Sequence, residues 1–102
     1  MRVRSRRQYQ RIAKQATRYV GEWIIVDSSF NRSPLTRLGI TASKYYGEAV
    51  QRNRFKRIVR EAFRLCRHRL RSGLDLNVKP KSTSHSAKTA DITEELIRFF
   101  GL

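Results

Sequence analysis

Arg52-Asn53-Arg54-Phe55-Lys56-Arg57-Ile58-Val59-Arg60-Glu61-Ala62-Phe63-Arg64-Leu65-Cys66-Arg67-His68-Arg69-Leu70-Arg71 is the stretch on which the reading of this chain turns. Phe55, Ile58, Val59, Ala62, Phe63, Cys66 and Leu70 recur at three- and four-residue steps, so at about 100° per residue they gather on one side of a single helix as a core face. Arg57, Arg60, Arg64, Arg67 and Arg71 follow the same alternation half a turn away and line the exposed side with guanidinium groups. An ordinary exposed helix mixes signs, because opposite charges at i,i+4 help by about 0.2–0.5 kcal/mol and like charges cost about as much. Arg52, Arg54, Lys56 and Arg57 also crowd the positive end of the helix dipole, which disfavours each exposed charge by roughly 0.3–1 kcal/mol. A solvated face does not need such an arrangement, whereas a row of phosphates offsets it.

The whole chain agrees. Twenty-three Lys and Arg against eight Asp and Glu give a net charge of +15 over 102 residues, with a pI of about 11.4. Such a protein seeks a polyanion. No run approaches the roughly 18 apolar residues of a membrane span. The basic start, Met1-Arg2-Val3-Arg4-Ser5-Arg6-Arg7, is not followed by an apolar block of secretory type, so a cytoplasmic protein is expected. The single cysteine, Cys66, excludes an intramolecular disulfide and a cysteine-cluster metal site, and its place on the apolar face makes it a small buried hydrophobe. His68 and His85 lack ligand-spaced partners and read as surface residues.

Outward from the arginine helix, residues 8–16 place Tyr9, Ile12, Ala13 and Ala16 at steps that suggest a short amphipathic first helix. Residues 17–20 lean towards strand, Gly21-Glu22 makes a turn, and Trp23-Ile24-Ile25-Val26 is an apolar run of strand length. Residues 27–34 carry loop chemistry. Leu38, Ile40 and Ala42 then alternate with polar or small residues as a strand with one buried face. The long helix is expected to end near Ser72-Gly73, with the glycine as its cap. Leu74, Leu76 and Val78 alternate as a fourth strand closed by Pro80, and the Ser/Thr-rich residues 81–90 read as a mobile loop. A last helix opens at Asp91, with Glu94 three residues on as in a capping box, and buries Ile92, Leu96, Phe99 and Phe100. Glu94 and Glu95 read as helix-start charges. The fold class is therefore α+β, an α/β sandwich ordered helix-strand-strand-strand-helix-strand-helix in one domain over residues 1–102.

These residues resemble the protein subunit of bacterial ribonuclease P. The resemblance is carried by Arg37-Leu38-Gly39-Ile40-Thr41-Ala42-Ser43-Lys44, Gly47, Ala49-Val50 and the Arg52 to Arg64 run with its Arg-Asn-Arg motif, and it extends to the element order and to the strand that ends at Pro80. It implies a fold like the second domain of ribosomal protein S5, with a left-handed crossover between parallel strands through the Arg-Asn-Arg helix, against the usual hand. It implies an accessory role in a holoenzyme whose large RNA removes the 5′ leader of precursor tRNA with Mg²⁺, the protein alone binding no cofactor. The implied partners are that catalytic RNA and precursor tRNA, with no membrane and no small-molecule substrate.

Carried over residue by residue, Arg52, Asn53, Arg54, Lys56, Arg57 and Arg60, extended along the helix by Arg64 and Arg67, are expected to contact the catalytic RNA. The family's second site, a cleft between first helix and sheet, holds the single-stranded leader. Tyr9, Ala13, Ile24, Val26, Lys44 and Tyr45 are the positions this implies. Tyr9 suits base stacking, whereas Ala13 stands where a second aromatic is common, and Ile24 and Val26 suit core packing better than cleft. Tyr45 replaces a basic residue often found after Lys44, and either it or Tyr46 is placed to stack. The chain begins close to the first helix, so the family's basic N-terminal extension is expected to be short or missing.

Catalysis by the protein itself finds no support, since its eight carboxylates form no metal-spaced pair and no Cys/His or Ser/His set is present. Two rivals remain: a ribosomal or other structural RNA-binding protein, which binds without promoting cleavage, and a DNA groove reader, for which Asn53 alone is thin support. Arg54→Ala and Arg60→Ala are expected to weaken RNA binding with little loss of folding.

Overall fold

Residues 16–102 are described by the computed structural model of the protein; the expected first helix, and with it Tyr9 and Ala13, lies outside the described residues except for Ala16. β1 (Thr17–Val20) and β2 (Ile24–Phe30) form an antiparallel hairpin, β3 (Arg37–Ile40) follows, α1 (Ala49–Cys66) crosses to β4 (Leu74–Pro80), and α2 (Thr89–Phe100) closes the chain. The sheet order is β1-β2-β4-β3. β2 and β4 pair antiparallel, while β3 and β4 are parallel neighbours joined through α1.

Register divides the sheet into two faces. Val26 lies opposite Val78, and Leu38 opposite Leu76. These side chains, with Ile24, meet Phe55, Val59, Ala62 and Cys66 of α1 and Ile92, Leu96 and Phe100 of α2 in one core. Burying a side chain such as Phe55 or Leu96 contributes about 1.5–3 kcal/mol, so the core and not the polar arc of α1 holds the helix in place. Because strand side chains alternate, Arg18, Ile25, Asp27, Ser29, Arg37, Asp75, Asn77 and Lys79 belong to the opposite face.

The long helix stops earlier than the pattern implies. Its cap is Arg67, a short 3-10 turn (Arg67–Arg69) follows, and Leu70 leaves the helix to bridge Gly101. Gly73 adopts a φ of 77°, a conformation that suits glycine, but it serves the entry to β4, where its carbonyl accepts from Asn31 N at 2.8 Å. The apolar spacing continues to Leu70 because that residue still faces the core, although no longer from a helix.

α2 likewise begins before the expected Asp91. Its cap is Lys88, and Asp91 is the third helical residue, whose carboxylate accepts from Lys88 N at 2.8 Å. Glu95, read from sequence as a helix-start charge, is instead buried. Its carboxylate accepts from the backbone N–H groups of Glu22, Trp23 and Ile24 at 2.6, 3.0 and 3.1 Å, and from Arg98 at 2.9 Å. A side chain thereby satisfies donors that the β1–β2 turn leaves without a ladder partner. Gly21 has no room for a Cβ, which would overlap that carboxylate.

Residues 81–90 are not the structureless loop expected. A 3-10 turn (Ser82–Ser86) is tied to the hairpin by Lys81 Nζ, which donates to Gly21 O at 2.8 Å, and by Thr83 Oγ1, which donates to Glu22 O. Ser84 and Ala87 are buried. The polar composition that suggests a loop is used for side-chain to backbone bonds within a compact turn.

Candidate nucleic-acid interface

Viewed down α1, Asn53, Arg57, Arg60, Arg64 and Arg67 fall within an arc of about 80° by helical geometry, and all five are exposed. The apolar stripe is clamped to the sheet opposite this arc, so the cations project from a fixed base. Arg52 and Arg54 sit on the two flanks and are half-buried. Arg52 donates to Gly47 O at 3.2 Å, and Arg54 to Ala87 O at 2.8 Å and His85 O at 3.4 Å. Arg54 therefore joins α1 to the 3-10 turn, which corrects the expectation that its removal spares the fold. Among the described residues, Arg60 has no such tie. Lys56 is half-buried beside it.

Arg64 is the exception along the arc. Its guanidinium grips Glu61 in a two-pronged pair at 2.6 and 3.1 Å, which raises the arginine pKa and lowers that of the carboxyl. The single-sign row is thus interrupted by one internal neutralisation. Arg71 stands off the helix but remains exposed.

The second region lies at the N-terminal end of α1. Tyr45 is fully exposed, and Lys44 beside it is exposed. Tyr46 instead turns inward: its ring stacks on His85 at 4.1 Å with 3° between planes and meets Phe55 at 5.6 Å, and its hydroxyl lies 2.9 Å from Ser84 Oγ. The Tyr46–His85 pair walls a cavity of about 470 Å³, which Tyr45, Ile25, Thr41 and Lys79 also line. A smaller hollow of about 240 Å³ on Tyr46, His85, Gln51 and Arg54 connects the pair to α1. Aromatic walls, an ammonium and hydroxyls in an open hollow suit a nucleotide.

Ile24 and Val26, cleft positions by resemblance that suit core packing better, are completely buried on the helix side of the sheet, as the core reading expects. Parity gives the opposite face to Ile25 and Asp27 instead, where Asp27 is buried and Ile25 half-buried, and the uninterrupted apolar run of residues 23–26 hides that parity from a sequence reading. Ile25, Lys79 and His85 were missed. Lys79 alone carries a sequence signal, the polar phase of β4's alternation.

The carboxylates on this face, Asp27 and Asp75, are buried and charge-compensated. Asp27 accepts from Arg18 at 2.8 and 3.1 Å and pairs with Lys79 at 3.1 Å. The Arg18 bonds, helped by Lys79 and opposed by burial, hold its carboxyl below the usual range. Asp75 takes both prongs of Arg37 at 2.6 Å and Asn31 at 2.9 Å. Asn77 accepts from Thr41 at 3.1 Å. Burial pushes the Cys66 thiol pKa up, the opposite of an activated nucleophile. Among the described residues, no helix is long and apolar enough to cross a membrane.

Fold and site together define a small, strongly basic α+β protein whose crossover helix displays its cations as a rigid row for a polyanion. The ribonuclease P family model matches residues 1–101, and the chain belongs to that family, the protein components of an RNA-processing ribonucleoprotein. It is 38% identical over 95 residues to the ribonuclease P protein component of Syntrophus aciditrophicus, covering 93% of this chain and 80% of that one. With the Chlamydia abortus component it shares 42% over 95 residues, 92% of this chain and 67% of that one. The solved Thermotoga maritima ribonuclease P protein superposes with a TM-score of 0.88 at 29% identity, over 98% of this chain and 94% of that one.

Proposed function

We propose that this chain holds the catalytic RNA of ribonuclease P along the outer arc of α1 and the 5′ leader of precursor tRNA at the cavity beside Tyr45, and so assists removal of the leader. The observation that carries this reading is the arc itself, with Arg57, Arg60 and Arg67 exposed on a helix whose opposite side is locked in the core. Guanidinium groups on such a base pair with phosphates, bidentately where geometry allows, and release condensed counterions. A positive field beside an RNA active centre reduces repulsion between substrate and catalyst.

The protein is an accessory subunit in this reading, and hydrolysis belongs to the RNA. Mg²⁺ is a requirement of the RNA-containing holoenzyme. The buried carboxylates do not fit it, because Asp27, Asp75 and Glu95 are each engaged by cationic or N–H donors of the protein. Among the described residues no group of three or more His, Cys, Asp or Glu is placed to hold a metal. A cytoplasmic location follows from the partners.

Leader contact at the cavity favours precursor over mature tRNA, because only the precursor has a leader. Tyr45 supplies the free aromatic face, Lys44 and Lys79 the cations, and Tyr46 with His85 a preformed wall. The test is cleavage of precursor tRNA by the cognate catalytic RNA at low Mg²⁺, with and without the protein, beside a leaderless RNA as binding control. Stimulation with a preference for the leader-bearing RNA is expected, and Tyr45→Ala should erode that preference. RNA binding without stimulation would instead place the chain with structural RNA-binding proteins.

A further inference from the structure

We propose that Phe30 is a second stacking platform, which takes an unpaired base of the catalytic RNA at the end of the sheet remote from Tyr45. This rests on the reading of the chain as an RNA-bound subunit and extends it to a surface outside the arc and the cavity. Phe30 is the last residue of β2, paired with Leu74 of β4, and it is 86% exposed. By parity it follows Ile24, Val26 and Ser28 on the helix-side face. α1 has already ended at Cys66, so this position is left uncovered by the packing that hides the others.

The ring is displayed by a rigid segment. Asn31 N donates to Gly73 O at 2.8 Å, and the Asn31 amide donates to Asp75 at 2.9 Å and to Leu35 O at 3.3 Å. Ser33 N donates back to Asn31 Oδ1 at 2.8 Å, and Thr36 Oγ1 to Arg71 O at 2.6 Å. A loop held by so many bonds loses little freedom when a ligand docks on it, which favours binding.

Charge decides what docks. Residues 30–36 and 67–74 contain four arginines, Arg32, Arg67, Arg69 and Arg71, and no side-chain carboxylate. Asp75, which the Asn31 amide contacts, is buried and committed to Arg37 and Asn31. An apolar protein partner gains nothing from a rim of one sign, whereas a nucleotide uses the ring for its base and the arginines for its phosphates. Arg67, which ends the α1 arc, and Arg69 and Arg71 after it are exposed, and Thr36 Oγ1 ties the Arg71 carbonyl to the segment that follows Phe30. α1 alone spans about 27 Å, so the leader cavity at its other end and this platform serve different stretches of RNA.

The test measures affinity for the catalytic RNA alone, near physiological salt, for wild type, Phe30→Ala, Phe30→Leu and Phe30→Trp. Loss of one stacked base predicts an affinity about fivefold or more weaker for the alanine and leucine variants, retained affinity for tryptophan, and an unchanged salt slope because no phosphate contact is removed. Thermal unfolding of the free protein should be unchanged, since the ring is in water. If wild type binds and Phe30→Ala binds equally well, the platform is refuted and the RNA-subunit reading stands. Leucine as good as phenylalanine overturns stacking in favour of a plain apolar contact. A concentration-dependent dimer of wild type that Phe30→Ala abolishes assigns the face to a second copy of the chain and overturns the proposal. Failure of wild type itself to bind the catalytic RNA removes both readings together.

Discussion

Glu61→Gln should tighten binding to the catalytic RNA, although it removes no repulsive contact visible in the free protein's fold. Arg64 is held by the Glu61 carboxylate at 2.6 and 3.1 Å, so one cation of the arc is already neutralised before RNA arrives. Glutamine keeps the size of the side chain and removes the charge, which returns Arg64 to the row beside Arg60 and Arg67. Each phosphate neutralised adds about 0.7–0.9 to the magnitude of the slope of log K against log salt, the lower value for single strands and the higher for duplex. If that contact contributes nothing at 1 M salt, one added contact corresponds to about five- to eightfold tighter binding at 0.1 M. The assay is a titration of labelled catalytic RNA at several salt concentrations, run beside Arg60→Ala, for which the slope should become shallower by the same increment. Both pair members are solvent-exposed, and such pairs contribute little to folding, so the denaturation midpoint of Glu61→Gln should stay near that of wild type. A slope unchanged in Glu61→Gln and in Arg60→Ala would refute the counting of exposed arc cations as phosphate contacts.

Phe63→Ala, which empties part of the core beneath the arc, should cost about 3–5 kcal/mol in urea unfolding, with RNA affinity preserved wherever the variant is still folded. Glu95→Ala leaves three hairpin N–H groups without their acceptor and should cost at least about 2 kcal/mol; Glu95→Gln, which retains one acceptor oxygen, should cost less in the same assay. Asp27 has a folded pKa depressed by Arg18 and Lys79, so its contribution is fully present above the ordinary aspartate value of about 3.9 and is lost as pH falls from there through the folded value. Asp27→Asn should therefore lower stability at neutral pH and flatten the acid limb of the stability profile, and an acid limb identical to that of wild type would count against the pairing.

Periodicity located β3, β4 and both described helices because their apolar residues face one core and must recur with the backbone's own repeat, but residues 27–30, which carry loop chemistry, form the second half of β2, with Asp27, Ser28 and Ser29 buried in the sheet. It failed where backbone geometry changes and burial does not. Leu70 keeps the phase of the α1 stripe yet reaches the core from beyond the helix, as a bridge to Gly101. Gly73 looked like a helix cap and is a turn residue before β4. Residues 81–90 have the composition of a loop, but their hydroxyls and amines find carbonyls on the β1–β2 hairpin, a pairing across some sixty positions that no local pattern records.

The site divides along the same physical line. The arc of α1 was legible because its residues share one regular element, so spacing alone sets their direction, and only partners reached from that spacing, such as Glu61 for Arg64, alter the count. Arg54 was misjudged because its acceptors, His85 and Ala87 O, lie on another segment. The cavity was less legible still: Ile25, Tyr45 and Lys79 come from three segments, and within the apolar run of residues 23–26 either parity satisfies hydrophobicity. What decides the parity of β2 is Asp27. Its carboxylate requires Arg18 and Lys79, both of which register places on the face opposite the core, and Ile24 and Val26 are thereby committed to the core. One buried acid thus sets which face of β2 carries Ile25 to the cavity.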